Sequence, residues 1–416
     1  MPKLPLLLCL LPLVAAAAAS LPESTVDQTC CVQLKSHNCT ADTMHEVAAL
    51  GIRWVRRGFI WGDCEKAAGT YDFTVPDQIV ADAEANGLKV LGCISGGNKL
   101  YGHVKEDAGR AGYARFAAAL AERYRTKAVI WELWNEPNNA GSWGKHGVAN
   151  NAAFAAEYTA LVRATVPAMK AADPQCTVVA GAVASLGWDK VQPWIEACFA
   201  AGILDSGIDA WSVHPYSTKR PEDYTAAYAM VRDLMRMHGH ELPLFNSERG
   251  YPVTKAEGWT GGEGDLAQFQ AWHCARQLLV DQLNGIRLSN WYEWSGKESF
   301  SLHIAGPTVN PAETACTVLL TQLTGYRFAE RVATASPEDY VLRFTATTGP
   351  VKFAAWTAPA PGLTPDQAVA HALTVKVGSA GEAVVTALDG STSRAPITDG
   401  TLQLQLSGAP QYVTLP

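Results

Sequence analysis

The sequence predicts an α/β protein: a (β/α)8 TIM barrel followed by a smaller C-terminal antiparallel β domain of sandwich-like character. Three observations carry that expectation. Short apolar, β-rich runs alternate eight times with longer segments of helical spacing. Several of those helical segments end on a glycine just before the next strand, as at Gly51, Gly87 and Gly285. Beyond Gly325 the pattern turns to short alternating runs separated by Gly, Pro and Asp. Eight repeats over roughly 300 residues suit such a barrel, which takes about 250 residues plus insertions. An open doubly wound sheet is the competing architecture, but it ordinarily carries a Gly-rich phosphate loop after its first strand. None follows Leu34, and Gly262-Glu263-Gly264 lies much later, before the seventh helix.

Taken in order, the chain opens with Lys3, an apolar run from Leu4 to Ala19 and the small-residue stretch Ala17-Ala18-Ala19-Ser20. This reads as a signal peptide over residues 1–20, because the run is shorter than the ~20 residues a spanning helix needs. The expected product is secreted or periplasmic, without a membrane span. The barrel is expected over residues 21–325 and the β domain over 326–416.

Strands are expected at Cys31 to Leu34, Ile52 to Arg57, Lys89 to Ile94, Ala128 to Leu133, Thr177 to Ala182, Asp209 to Val213, Pro243 to Asn246 and Gly285 to Trp291. Helical spacing fills the gaps, for example Thr43 to Leu50, Tyr113 to Tyr124, Phe154 to Ala171 and Leu266 to Leu279. In the β domain, strands are expected at Tyr340 to Thr345, Val351 to Trp356, Leu373 to Lys376, Ala383 to Ala387 and Leu402 to Leu406. That domain reads as a buttress on the barrel rather than a separate sugar-binding module.

Composition narrows the function. The net charge is −7 with no run of Lys or Arg, so nucleic acid is not an expected partner. With 48% hydrophobic and 18% charged residues the chain can bury one large core plus an accessory domain, which argues against disorder. Ten cysteines become nine without Cys9, an odd number that leaves at least one thiol unpaired. Cys93, Cys176 and Cys274 lie in apolar segments and read as small buried hydrophobes. No C-x-x-C spacing suggests zinc, and His238 and His240 read as a solvated helix end, so neither metal nor cofactor is expected. Asn38-Cys39-Thr40 fits a glycosylation sequon.

In such a barrel the active site forms at the C-terminal strand ends. Two glutamates stand there. Ala128-Val129-Ile130-Trp131-Glu132-Leu133-Trp134 runs into Asn135-Glu136-Pro137-Asn138 at the end of the fourth strand; Pro243-Leu244-Phe245-Asn246-Ser247 runs into Glu248-Arg249-Gly250 at the end of the seventh. Strands four and seven lie nearly opposite each other, so the two carboxyl groups can face across the mouth. Glycosidic cleavage needs such a pair, at ~5 to 5.5 Å for retention and wider for inversion. Trp134 and Trp143 are expected to raise the Glu136 pKa by desolvation, and Arg56 to keep Glu248 ionised.

The octapeptide Trp131 to Asn138 resembles the fourth-strand end of clan A glycoside hydrolases, most closely family 39. The resemblance extends to Ile52-Arg53-Trp54-Val55-Arg56, to Trp61 through Glu65 and Gly69 through Phe73, to Tyr113 through Tyr124, and to Ala171 through Gly181. It covers the barrel, and the C-terminal β domain also fits. It implies a retaining glycosidase acting on an oligo- or polysaccharide, with Glu136 as acid/base, Glu248 as nucleophile and Asn135 binding the sugar 2-hydroxyl. It implies that Arg56 lies near the nucleophile, that His214 and Tyr216 orient nucleophile or sugar, and that Trp291 and Trp294 bracket an aromatic platform. Ser247-Glu248-Arg249 departs from the family's usual Thr-Glu, and Glu293 stands where relatives commonly have Asp.

Plainer readings exist. Arg56 also fits a structural ion pair, His214 a satisfied core histidine, the tryptophans core packing and Glu132 a structural role on the opposite strand face; Glu293 is a weaker rival to Glu248. At the level of function, the alternatives are a non-catalytic glycan-binding barrel and an unrelated barrel hydrolase using Ser or a metal. No Gly-x-Ser-x-Gly elbow or His-rich set supports the latter.

Overall fold

The alternation folds into a closed parallel barrel of strands Cys30–Gln33, Trp54–Ile60, Lys89–Ser95, Val129–Leu133, Thr177–Ala184, Ala210–His214, Leu244–Arg249 and Ser289–Trp291, each paired with its sequence neighbour and the last with the first. The computed structural model describes residues 20–143, 152–187, 191–216, 220–254, 265–296, 299–361, 363–364 and 367–416. Residues 1–19 of the expected leader and Gly262-Glu263-Gly264 lie outside them. Among the described residues no helix is long and apolar enough to cross a membrane.

Period-two alternation sorts the strand residues. Inside the barrel, one layer of Cys31, Trp54, Leu91, Ile130, Val179 and Phe245, with Ala210 and Leu288, forms an apolar plug. Above the plug the inward positions become polar, with Arg56, Glu132 and Ser212 all buried. Outward residues meet helices by the usual spacing: Ala152–Ala172 buries Phe154, Tyr158, Leu161, Val162, Val166 and Met169 along one face. The last barrel helix, Pro311–Leu323, starts on Pro311 with the Asn310 side chain accepting from the Ala312 amide.

The fifth strand carries a bulge, its register shifting between Ala180 and Val183. Gly181 there has φ +114°, and a Cβ would sit 2.4 Å from the Ser212 carbonyl oxygen, so only glycine fits. The bulge aims the Ala182 carbonyl at the Glu136 amide, 3.0 Å away.

The C-terminal part is one curled antiparallel sheet of eight strands, in the order Arg327–Arg331, Asp339–Thr345, Lys352–Thr357, Gln411–Thr414, Gly381–Thr386, Thr392–Thr398, Thr401–Leu406 and His371–Lys376. Three of these strands, at 327–331, 392–398 and 411–414, were not among the expected ones; Arg327–Arg331 is mostly exposed and Thr392–Thr398 polar, so neither shows an apolar alternation. One face encloses Val341, Phe353, Val375, Leu402 and Val413. The other offers Tyr340, Leu342, Phe344, Trp356 and Tyr412 to the barrel's own core. Along Asp339–Thr345 alternate residues therefore serve different cores, which is what fastens the sheet to the barrel.

Candidate active site

The fourth strand ends in an unusual backbone. Trp134 and Glu136 both adopt left-handed conformations, φ 71° and 50°, which non-glycine residues hold only when surroundings compel them. The compulsion comes from the fifth strand: besides the Glu136 amide bond to Ala182, the buried Asn138 donates to the Ala184 carbonyl at 3.0 Å and accepts from its amide at 2.8 Å. This accounts for both asparagines of Asn135-Glu136-Pro137-Asn138, one facing the cavity and one riveting the turn.

Arg56 is the hub. Its Nε donates to Glu132 at 2.8 Å, one Nη to Glu248 at 2.8 Å and Gln33 at 2.9 Å, and the other Nη to the Asn135 carbonyl oxygen at 2.7 Å. With its oxygen held by Arg56, Asn135 keeps its NH2 as a donor in the lining of the cavity. The Arg56 guanidinium thus lies against the Glu248 carboxylate, where the sequence placed it. Glu132 faces the barrel interior with Arg56, opposite to its strand neighbours Trp131 and Leu133, as expected; it is a supporting group beneath the mouth, fully buried and also accepting from Ser212 at 2.7 Å.

Tyr216 donates to the other Glu248 oxygen at 3.3 Å, and its ring lies under the Arg249 guanidinium, 5.0 Å from centroid to carbon. Burial and the Glu248 charge push the Tyr216 phenol well up, so it stays a donor. His214 is buried and touches Glu136 through Nδ1 at 3.1 Å and Ser247 through Nε2 at 3.2 Å, so it serves the fourth-strand glutamate rather than the seventh-strand one. Oxygens of Glu136 and Glu248 and a nitrogen of His214 all lie within 4.8 Å of one another. This is the one such trio of potential ligands among the described residues, but a metal ion there would face the Arg56 guanidinium already bound to Glu248.

The electrostatics of Glu136 correct one expectation. Burial does push its carboxyl up, but the hydrogen bond and charge of His214, the Asn139 amide and the Arg56 charge outweigh burial and hold it below the usual range. Trp134 and Trp143 are buried as expected, yet solvent exclusion is not the deciding force.

The aromatic platform is corrected as well. Trp291 is buried and turned outward, lining a small hollow with Cys30, Cys274 and Cys316 beneath the helices, and Trp294 is buried and stacked on His303. It is Tyr292, between them, that lines the cavity of about 360 Å3 beside Glu248, with Gln33, Lys35, Arg56 and Asn135. Glu293 is fully buried and paired with Lys35 at 2.9 Å, so it does not compete with Glu248. Gln33 and Lys35 escaped the sequence reading, although their place at the end of the first strand is a signal that could have found them. A second hollow of about 650 Å3 adjoins, sharing Ser95 and Asn135 and walled by Trp134, Trp143 and His103.

Asn38 is buried, its side chain accepting from the Lys35 amide at 2.7 Å and donating to the Ser295 carbonyl, so the sequon asparagine shapes the first loop instead of presenting itself to solvent. All nine cysteines from Cys30 onward are free thiols.

Comparison with known proteins fits this geometry. The family model described as Cellulase (glycosyl hydrolase family 5) matches residues 22–295. A family 39 glycoside hydrolase from the gut symbiont Bacteroides cellulosilyticus WH2 superposes with a TM-score of 0.73 at 20% identity, over 95% of this chain and 83% of that one. A family 39 β-xylosidase from Caulobacter crescentus gives 0.62 at 17% identity, over 96% and 98%. A family 30 endoxylanase from Clostridium papyrosolvens C71 gives 0.65 at 13% identity, over 96% and 98%. At these identities the structures share the fold. No curated protein matches the sequence significantly.

Proposed function

Since the chain belongs to glycosyl hydrolase family 5, in clan A, and is a glycoside hydrolase, we propose that it cleaves the O-glycosidic bonds of an oligo- or polysaccharide by double displacement with retention. Glu248 attacks the anomeric carbon while Glu136 protonates the leaving oxygen; Glu136 then takes the proton of the water that releases the sugar. The observation that carries this reading is the gap of no more than 4.8 Å between carboxylate oxygens of Glu136 and Glu248. It is far closer to the ~5–5.5 Å of retaining pairs than to the ~6.5–9.5 Å that admits a water.

Each neighbour has a task in that cycle. Arg56 and Tyr216 hold Glu248 by its two oxygens and aim it. Asn135 donates to the 2-hydroxyl of the sugar under attack. His214, resting on Ser247, holds Glu136 whether it is an acid or a base. The apolar leader and small-residue stretch support export before the enzyme meets its glycan.

The test begins with a screen of aryl glycosides and polysaccharides, following the anomeric configuration of the first product by NMR. Retention is expected. Glu248→Ala should lose on the order of 10⁴ to 10⁶ in rate, and azide should restore turnover with an inverted product. Glu136→Ala should still cleave activated aryl glycosides, azide then giving a retained product. An inverted wild-type product would overturn the mechanism, exchanged azide outcomes would exchange the roles, and glycan binding without turnover would favour a binding protein.

A further inference from the structure

Immediately after Arg56 the second strand carries another arginine in the opposite electrostatic situation. Arg56 is buried and holds two carboxylates. Arg57 is half-buried and enters no ion pair among the described residues; its Nε is buried without a hydrogen-bond partner, and it contacts the Cys39 thiol. Removing a guanidinium from water without a counter-charge is costly, and such a group persists where something other than the fold benefits from it.

Its location suggests what that is. A cavity of about 270 Å3 neighbours the one beside Glu248, of about 360 Å3, and Ser36, Arg57 and Gly58 belong to the walls of both. Phe59, Ile60, Val75, Pro76 and Ile79 make much of the second cavity's lining apolar. The rim carries two acids that are otherwise engaged: Asp63 is 77% exposed and bridges to Lys66 at 3.6 Å, and Asp72 accepts from the Thr74 amide at 2.9 Å. An apolar lining with a lone guanidinium suits the C–H face of a pyranose whose substituent is negatively charged. Arginine is the side chain whose planar fork matches a carboxylate or sulfate.

Resting on the glycosidase reading above, we propose that the cavity beside Arg57 is a second sugar subsite and that it takes a sugar bearing an anionic group, with Arg57 reading the charge. The substrate class is then an acidic glycan, uronate-bearing or sulfated, and not a neutral one.

The test compares wild type and Arg57→Gln on matched pairs of polysaccharides: uronate-bearing against carboxyl-reduced, and sulfated against desulfated. Wild type should prefer the acidic member of one pair, and that pair identifies the anion. In Arg57→Gln the ratio of kcat/KM on acidic to neutral substrate should fall about tenfold or more, the worth of one charged hydrogen bond, mostly through KM. Arg57→Lys, which keeps the charge without the fork, should fall in between and serves if the glutamine variant does not fold. A wild type that prefers the neutral member of both pairs, or a ratio unchanged in both variants with melting temperatures preserved, would overturn the subsite. Hydrolysis of small aryl glycosides that depends on Glu248 would leave the catalytic reading standing even then.

Discussion

Two buried arginines sit in environments built from the same chemistry and put to different use. Arg276, in the helix Asp265–Leu283, meets Glu222 with two parallel hydrogen bonds of 2.7 and 2.6 Å, and Glu222 also accepts from the Trp356 indole of the β sheet at 2.8 Å. Both partners are sealed from solvent, with side-chain exposures of 1% and 0%, so the pair is closed and joins barrel to sheet. Arg220 repeats the pattern nearby, bonding Asp223 and Glu338. Arg56 spreads its donors over four side chains, where Arg276 gives its fork to one carboxylate, and Glu248 remains 14% exposed in a cavity. A closed, fully satisfied pair stabilises or specifies packing; an open one leaves a carboxylate facing a cavity. The difference lies in who completes the shell, another side chain or a substrate.

The largest effect expected from this contrast is on stability at the closed pair. Arg276→Met leaves Glu222 buried and unpaired, at a cost of about 3–5 kcal/mol, measured by denaturant unfolding. Burial pushes the Glu222 carboxyl up but Arg276 outweighs it, so the native value lies below the unfolded one. The wild-type pair therefore contributes above the ordinary carboxylate range and loses that contribution as pH falls through the native value. The mutant's deficit should accordingly shrink in acid. Adding Glu222→Gln removes the orphaned charge while keeping an acceptor for Trp356, and should recover more than half of the loss. No recovery would mean that packing, not charge, dominates the seam.

At the open pair the conservative change is the sharper probe. Arg56→Lys keeps a cation between Glu132 and Glu248 but cannot reach Gln33 and Asn135 with the same fork, so kcat/KM should fall about 10²-fold with little change in melting temperature. Arg276→Lys should do the reverse, costing about 1–2 kcal/mol of stability with kcat/KM unaltered. Equal effects of the two substitutions on activity would erase the distinction between the regions.

The smallest effect concerns His214. Burial raises the Glu136 carboxyl, and the contacts with His214, Asn139 and Arg56 lower it more. In His214→Ala the main lowering contact is lost, burial gains weight, and the acid keeps its proton to higher pH. The alkaline limb of the kcat/KM profile should therefore move upward, alongside a loss of roughly tenfold at the optimum. A limb that stays fixed or moves down would show that His214 does not set the acidity of Glu136.

The barrel and its two carboxylates were legible in the chain because both are local. A strand announces itself by a few apolar residues, a helix by its spacing, and a barrel puts its chemistry at strand ends, so Glu136 and Glu248 follow from counting. What the fold alone decided was parity, partnership and balance. Trp291 and Tyr292 are adjacent, and only the true position of the short strand Ser289–Trp291 determines that Tyr292 faces the cavity while Trp291 packs under the helices. A slip of one residue reverses every side chain, and an expected strand four residues too long cannot settle it. The Arg56 hub joins residues from the first, second, fourth and seventh strands, so its partners are invisible until the barrel closes. The sign of the Glu136 shift is likewise set by desolvation against contacts with three residues of opposite effect. Composition can name the tryptophans around a carboxyl, but distances decide which contribution is larger.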